Sequence, residues 1–548
     1  MTLLLHRRRF LEQMGRLGLA LTGGAWLSRI GHAAIQGGPA RVSIDRNRYR
    51  TALDRRLFGS FLEHLGRAVY AGVYEPESPL ADASGFREDV MAEIRALDVP
   101  IMRYPGGNFV SGYNWLDGVG PKDQRPTVLE RAWNSIETNQ FGTNEFITWC
   151  RLVKTEPLLG FNLGTGTPET AVAYVEYCNV DRGTKWSELR RSHGHDQPHN
   201  VRYWCLGNEM DGPWQMGHST AGEYGRKARD AARQMRVIDP ALQLIACGSS
   251  NTILPTYLVW DREVLEACYD QVDAISLHNY YGNTEALTGA STARYLAMNL
   301  DMERQIHEVA AVCDYVQGIL KSPKRLWLSF DEWNIWYRAR SPEFRDGRRT
   351  FAPRLLEEVY NLEDALLVGG FVNTLLRQSD RVRVACLAQI VNVIAPLVTN
   401  ESSVLRQSIY HPYAWALRHA RGRALNLLVE SETYPIRAGG LRADFARDDQ
   451  VPFLDVAATY DPETGYTTLF ILNRDLKSER ELVLEWRDSV PARVIASETL
   501  TGPDLKAFNT FTRPDVVAPR PLDVPAAAAR MTLKLPARSY SIVQLAAS

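Results

Sequence analysis

The sequence predicts an α/β fold, a (β/α)8 TIM barrel followed by a C-terminal antiparallel β-sandwich. Three observations predict it. Short apolar or β-branched runs alternate with helix-period segments through residues 54–420. Helical periodicity stops near Arg421. Beyond that point, short alternating runs separated by turn residues fill residues 421–548.

The strand-like runs of the first region are Leu57–Ser60, Val99–Tyr104, Pro157–Asn162, Val201–Asn208, Leu242–Gly248, Val272–His278, Arg325–Glu332 and Val384–Gln389. Helix-period segments such as Phe86–Leu97, Ala221–Ile238, Met298–Leu320 and Asn361–Arg377 lie between them. An open doubly wound sheet gives the same alternation, but no GxGxxG phosphate loop follows the first strand, which favours the closed barrel. The later runs are Pro452–Thr459, Thr467–Asn473, Glu481–Trp486, Arg493–Ser497, Met531–Leu535 and Ser539–Leu545, with a Pro-rich stretch from Arg513 to Pro525. Ala40–Ile44 has no evident barrel partner, so residues 34–53 are expected to join the sandwich.

A chain of 548 residues calls for one large domain and a smaller one. Hydrophobic residues at 45% and charged residues at 23% are those of a globular protein. The net charge of −1, with no long Lys/Arg run after the first ten residues, argues against a nucleic-acid partner. Thirteen Trp and twenty-three Tyr suit the faces of sugars, although most such rings fill cores. The seven cysteines are scattered, odd in number and without a CxxC pair. That pattern reads as reduced, buried thiols and excludes a structural zinc site.

Arg7-Arg8-Arg9-Phe10-Leu11 resembles a twin-arginine export motif, followed by an apolar stretch from Leu17 to Leu27 and a small-x-small site at Gly31-His32-Ala33. Residues 1–33 are therefore expected to be a signal peptide, with export to the periplasm or medium; a cytoplasmic protein is the alternative. The apolar stretch is about half of a membrane span, so none is expected.

In a (β/α)8 barrel, reactive groups collect at the C-terminal strand ends. Those ends carry Glu63, then Arg103 and Asn108, then Asn208-Glu209, His278 and Tyr280, Asp331-Glu332, and Gln389. Glu209 and Glu332 follow strands 4 and 7, which face each other across such a mouth. Glycosidic cleavage needs one protonated acid beside the leaving oxygen and one ionised carboxylate beneath the anomeric carbon. A retaining enzyme holds the two about 5–5.5 Å apart. A lone Glu after a strand is more often a cap or ion-pair member, and for Glu63 taken alone that reading wins.

The motifs Phe61-Leu62-Glu63-His64-Leu65-Gly66, Arg103-Tyr104-Pro105-Gly106-Gly107-Asn108-Phe109 and Tyr203–Trp214 are distinctive. So are Ser276-Leu277-His278-Asn279-Tyr280-Tyr281, Phe330-Asp331-Glu332-Trp333-Asn334 and the run Ala388–Pro396. In these motifs and their order, from about residue 40 onward, the chain closely resembles the family 51 glycoside hydrolases, chiefly α-L-arabinofuranosidases. The resemblance implies a barrel plus sandwich, no cofactor, no metal, and double displacement releasing terminal non-reducing α-L-arabinofuranosyl residues from arabinose-containing oligo- or polysaccharides. It implies Glu209 as acid/base and Glu332 as nucleophile. It places Glu63, Arg103, Asn108, Asn208, Tyr280 and Gln389 around the furanose, His278 beside the nucleophile, and Trp133 and Trp336 as walls near the leaving sugar. Arg103 and Tyr280 would hold the nucleophile by hydrogen bonds, and Asn208 would meet the sugar 2-hydroxyl. It also implies a homo-oligomer, commonly a hexamer.

Other signals weigh less. His193, His195 and His199 precede strand 4, at the barrel's opposite end, and are expected in a solvated loop rather than at a metal. Gly164-Thr165-Gly166-Thr167 lacks the lysine of a phosphate loop and reads as a tight turn. Cys205 reads as a core residue. The long Gly106–Gly142 stretch should shape the pocket rim, with Trp115 and Trp133 touching sugar or anchoring the loop. Two competing functions are a β-xylosidase or endo-β-glucanase of the same family, and a non-catalytic carbohydrate-binding barrel. The last predicts the loss of a carboxylate, and both are present.

Overall fold

Why the first region closes on itself is visible in its strands. In the computed structural model, which describes residues 32–34, 37–340, 349–437 and 448–547, eight parallel strands form a closed barrel. They are β1 (Gly59–Phe61), β2 (Ile101–Tyr104), β3 (Glu156–Gly160), β4 (Tyr203–Cys205), β5 (Gln243–Ala246), β6 (Ala274–Tyr281), β7 (Trp327–Ile335) and β8 (Val382–Leu387). β8 pairs with β1 through Cys386–Gly59 and Leu387–Ser60, which seals the ring. The strands carry few polar residues because both faces are covered, inside by each other and outside by helices. Phe61, Ile101, Leu158, Ile245, Ala274 and Val384 fill one interior layer.

Helix ends follow local chemistry. Thr220 caps Ala221–Ile238 by accepting from Glu223 N–H, and the Glu223 carboxylate reaches back to the Thr220 N–H. Lys154 closes Thr143–Val153 in the left-handed conformation. Helix Leu362–Arg377 is different: all 16 residues are buried, because it lies between the barrel and the sandwich.

The sandwich has a seven-stranded and a five-stranded sheet. Leu454–Asp461, Tyr466–Asn473 and Ser539–Ala547 run antiparallel at the centre of the first. Tyr49–Ala52 ends it, paired with Arg423–Leu425. Ala40–Ile44 lies in the second sheet, antiparallel to Leu428–Ser431 but parallel to Arg480–Trp486. That parallel pair departs from a purely antiparallel sandwich. Its two strands are far apart in sequence, so no hairpin dictates their direction.

His32–Ala34 adds a short parallel edge strand on Leu428–Ser431. These residues overlap the segment read as the end of a signal peptide, and a cut after Ala33 would divide the strand. The Arg7–Arg9 motif and the apolar stretch lie outside the described residues. Among the described residues, no helix is long and apolar enough to cross a membrane.

Candidate active site

Two local features of the chain aim the carboxylates into the mouth. After β4, Gly207 takes φ +99°, a conformation costly to side-chain-bearing residues, and Glu209 itself sits at φ +44°. On β7, pairing register shifts between Phe330 and Trp333 against β8. Successive residues of a regular strand point to opposite faces, yet this irregularity lets Asp331 and Glu332 both reach Arg103.

Arg103 donates to Glu332 Oε1 at 2.6 Å and to Asn208 Oδ1 at 2.8 Å, and its Nε lies 3.3 Å from Asp331 Oδ2. Tyr280 donates to Glu332 Oε2 at 2.9 Å. His278 Nδ1 lies 3.0 Å from Glu209 Oε1 and 3.7 Å from Glu332 Oε2, while its Nε2 is 3.4 Å from Asp331 Oδ1. The indole of Trp214 donates to the other Glu209 oxygen at 2.8 Å. Glu63 Oε1 accepts from Phe109 N–H at 3.0 Å and from Trp133 Nε1 at 3.1 Å, and the Glu63 N–H donates to Gln389 Oε1 at 2.9 Å. A side chain at Gly107 would strike the Glu63 carboxylate, with its Cβ 2.3 Å from Oε2, so only glycine permits this approach.

The electrostatics divide these groups. Burial, reinforced by the Glu332 charge, pushes the Glu63 carboxyl up to about 8. Burial opposes a charge on His278, but Glu332, Asp331 and Glu209 outweigh it and push the imidazole up to about 10. Burial would likewise raise Asp331, yet Arg103 and His278 hold it below the ordinary carboxylate value. Tyr280 is raised well above a free phenol by burial and then by Glu332, so it stays a donor.

A cavity of about 800 Å³ opens above this cluster. Glu63, Asn108, Trp133, Glu209, Tyr280, Glu332, Trp336 and Gln389 all line it. Arg103, Asn208 and His278 do not; they are buried one layer behind, with their polar atoms turned onto the carboxylates and Asn208 Nδ2 3.4 Å from Asn108 Oδ1. Trp336 stands edge-on to Tyr280, with ring centroids 5.3 Å apart, and the Arg340 guanidinium lies 4.1 Å over its ring.

Glu209, His278 and Glu332 each offer an atom within 4.8 Å of the others, a grouping that resembles a cation site. An imidazolium has no lone pair for a metal, and both Glu332 oxygens already accept from Arg103 and Tyr280. The donor set suits a charge network better than an ion.

The sequence names Trp214 in a motif and Asp331 at a strand end, but it assigns neither a role. Trp214 stood in the quoted Tyr203–Trp214 stretch, and a half-exposed indole beside a mouth carboxylate was the available signal. Asp331 was hidden by strand alternation, which points a neighbour of Glu332 away from the mouth.

One further expectation is corrected here, and three others hold. The histidine loop is not simply solvated: His199 is buried against Asn144 Oδ1 at 2.8 Å, and burial lowers its imidazole to about 3. Trp115 anchors rather than faces the cavity, stacked on Tyr174 with its Nε1 donating to Thr170 O. Gly164–Thr167 is the turn whose Thr167 caps helix Pro168–Asn179. Cys205 is buried at 2% exposure in the strand wall.

Known proteins share this fold. The family model described as the α-L-arabinofuranosidase 1 domain matches residues 93–297, and that of the α-L-arabinofuranosidase C-terminal domain matches residues 331–539. The intracellular exo-α-(1→5)-L-arabinofuranosidase 1 of Bacillus subtilis is 46% identical over 87% of this chain and 93% of its own. A family 51 α-L-arabinofuranosidase from Bifidobacterium longum superposes with TM-score 0.87 at 37% identity, covering 93% of this chain and 100% of that one. The arabinose complex of the Thermotoga maritima α-L-arabinofuranosidase gives 0.83 at 33% identity, over 92% and 99%. With both family models and these relatives spanning barrel and sandwich, the chain belongs to the α-L-arabinofuranosidases of glycoside hydrolase family 51.

Proposed function

We propose that this chain is an exo-acting, retaining hydrolase with Glu332 as nucleophile and Glu209 as acid/base. The observation that carries the reading is their separation. One carboxylate oxygen of each lies within 4.8 Å of the other, close to the spacing of a double-displacement pair and well below the roughly 6.5–9.5 Å of an inverting pair. Glu332 attacks the anomeric carbon while Glu209 gives its proton to the leaving oxygen. Arg103 and Tyr280 hold the Glu332 carboxylate in line for attack and accommodate its charge when it departs again. Esterification removes the charge facing Glu209, which then takes a proton from the attacking water.

The name of the Bacillus subtilis relative supports α-(1→5)-linked arabinofuranosyl oligosaccharides as substrates and single arabinose units as products. Hydrolysis of an aryl α-L-arabinofuranoside followed by NMR tests the stereochemistry: the α-anomer should appear first, and β-arabinose as first product overturns the reading. Oligosaccharides released from arabinan in place of arabinose would overturn the exo assignment. For the compartment, the relative's intracellular designation and the seven free, buried cysteines favour the cytoplasm over the export expected from Arg7–Arg9. N-terminal sequencing of the protein from its native cell decides that point.

A further inference from the structure

We infer that Asp331 is a positioning residue that holds both catalytic carboxylates at once, Glu332 through Arg103 and Glu209 through His278. This rests on the roles proposed above for the two glutamates. Asp331 is 1% exposed and absent from the cavity wall, so it does not touch substrate. Its Oδ2 lies 3.3 Å from Arg103 Nε, and the same guanidinium donates to Glu332. Its Oδ1 lies 3.4 Å from His278 Nε2, and the other ring nitrogen meets Glu209 at 3.0 Å. One buried anion thus stands behind two cations: Arg103 faces Glu332, and His278 faces Glu209 at 3.0 Å and, more distantly, Glu332 at 3.7 Å.

Charge explains why an anion is needed there. Arg103 and an imidazolium at His278 bring two positive charges into a buried site, and Glu332 offsets one. Asp331 offsets the other, which leaves Glu209 free to carry the proton that the first step requires. The remaining groups around Asp331 are the thiols Cys205 on β4, Cys247 just after β5 and Cys386 on β8. Glu63, just after β1, and Tyr280 on β6 face Glu332, and Asp211 feels the charge of Glu209. The three thiols are raised by burial and stay neutral, as does the phenol. None of them can replace the lost anion.

The test is Asp331→Asn in the full-length enzyme, assayed with an aryl α-L-arabinofuranoside below the melting temperature of both proteins. kcat should fall on the order of 100-fold or more, the usual worth of a well-placed acid/base. KM should stay within about threefold, because the cavity wall is untouched. Deleting a negative charge lowers the apparent pKa of every proton the cluster holds, whichever group carries it. The alkaline limb of kcat/KM should therefore move to lower pH. A kcat within about threefold of the parent, or an alkaline limb that stays in place, overturns the proposal. So does an equal loss in Cys205→Ala, which removes only the weak thiol hydrogen bond donated to Asp331 Oδ2 at 3.2 Å and leaves the anion in place. Should the Asn variant not fold, ¹⁵N-histidine spectra of the parent decide. The signal missing in His278→Gln must keep both ring protons at pH 8, and a neutral ring there refutes Asp331 as its counter-charge. If Glu332→Ala keeps hydrolysing, the assignment of the glutamates fails as well; if only the Asp331 tests fail, that assignment stands.

Discussion

Two clusters of buried charge organise this molecule, and they are built to opposite ends. Between barrel and sandwich, Asp455 accepts from Asn373 at 3.0 Å and Arg377 at 2.6 Å on one oxygen, and from Asn299 at 3.0 Å and Arg474 at 2.6 Å on the other. Arg377 also meets Glu303 at 3.1 Å, so two cations balance two anions. At the mouth, four carboxyls (Glu63, Glu209, Asp331 and Glu332) share two cations, and Arg103 Nε, His278 Nε2 and Asp331 Oδ1 lack a well-directed hydrogen bond. The saturated cluster joins two domains. The unsaturated one raises the Glu63 carboxyl and holds Asp331 low, so carboxyls of one cluster differ in charge.

If that contrast is right, damage to the mouth should cost activity and spare the fold. Glu332→Ala should lower kcat for an aryl α-L-arabinofuranoside on the order of 10⁴-fold or more, with no fall in melting temperature. A variant that unfolds early would blur the comparison. Glu209→Ala should lose on the order of 10²–10⁴-fold on substrates with poor leaving groups and far less in the first step on activated aryl ones. Equal losses on both would remove Glu209 from the acid/base role.

The interdomain cluster should answer the other way. Asp455→Ala leaves Arg474 buried without its anion and Arg377 with Glu303 alone, a loss of about 3–5 kcal/mol of stability. Chemical denaturation measures it, and kcat per folded molecule should not change. A drop in kcat at full folding would mean that the sandwich transmits strain to the mouth.

How much of this was legible differs between the same two places. All eight barrel strands were read in order, since buried parallel strands leave continuous apolar runs, and the mouth residues followed from their ends. Asp331 was among them without a role, because its direction depends on an irregularity in β7 that residue types do not encode. The interdomain cluster was invisible for another reason. Asn299, Arg377 and the hairpin that carries Asp455 and Arg474 are far apart in sequence, and each residue alone reads as an ordinary surface residue. The helix Leu362–Arg377 showed a helical period, but its burial on every side follows only from the sandwich docking on it.

The smallest expected effect concerns Glu63, the mouth carboxyl that burial keeps protonated up to about 8. Glutamine is nearly its isostere in that state: its oxygen still accepts from Phe109 N–H and Trp133 Nε1, and its amide donates where the acid's O–H would. Glu63→Gln should therefore keep kcat/KM within about tenfold of the parent. Stability carries the sharper signature. Below the ordinary value of 4.5 the group is neutral in both states, and between there and about 8 the unfolded chain releases a proton that the folded chain retains. The parent thus loses stability as pH rises through that window, at up to about 1.4 kcal/mol per unit, and above it the loss levels off. Glutamine has no such proton, so melting temperatures measured across the window should show the parent falling relative to the variant. Parallel curves would mean that Glu63 is ionised in the folded protein, and the mouth would then hold one more charge than this account allows.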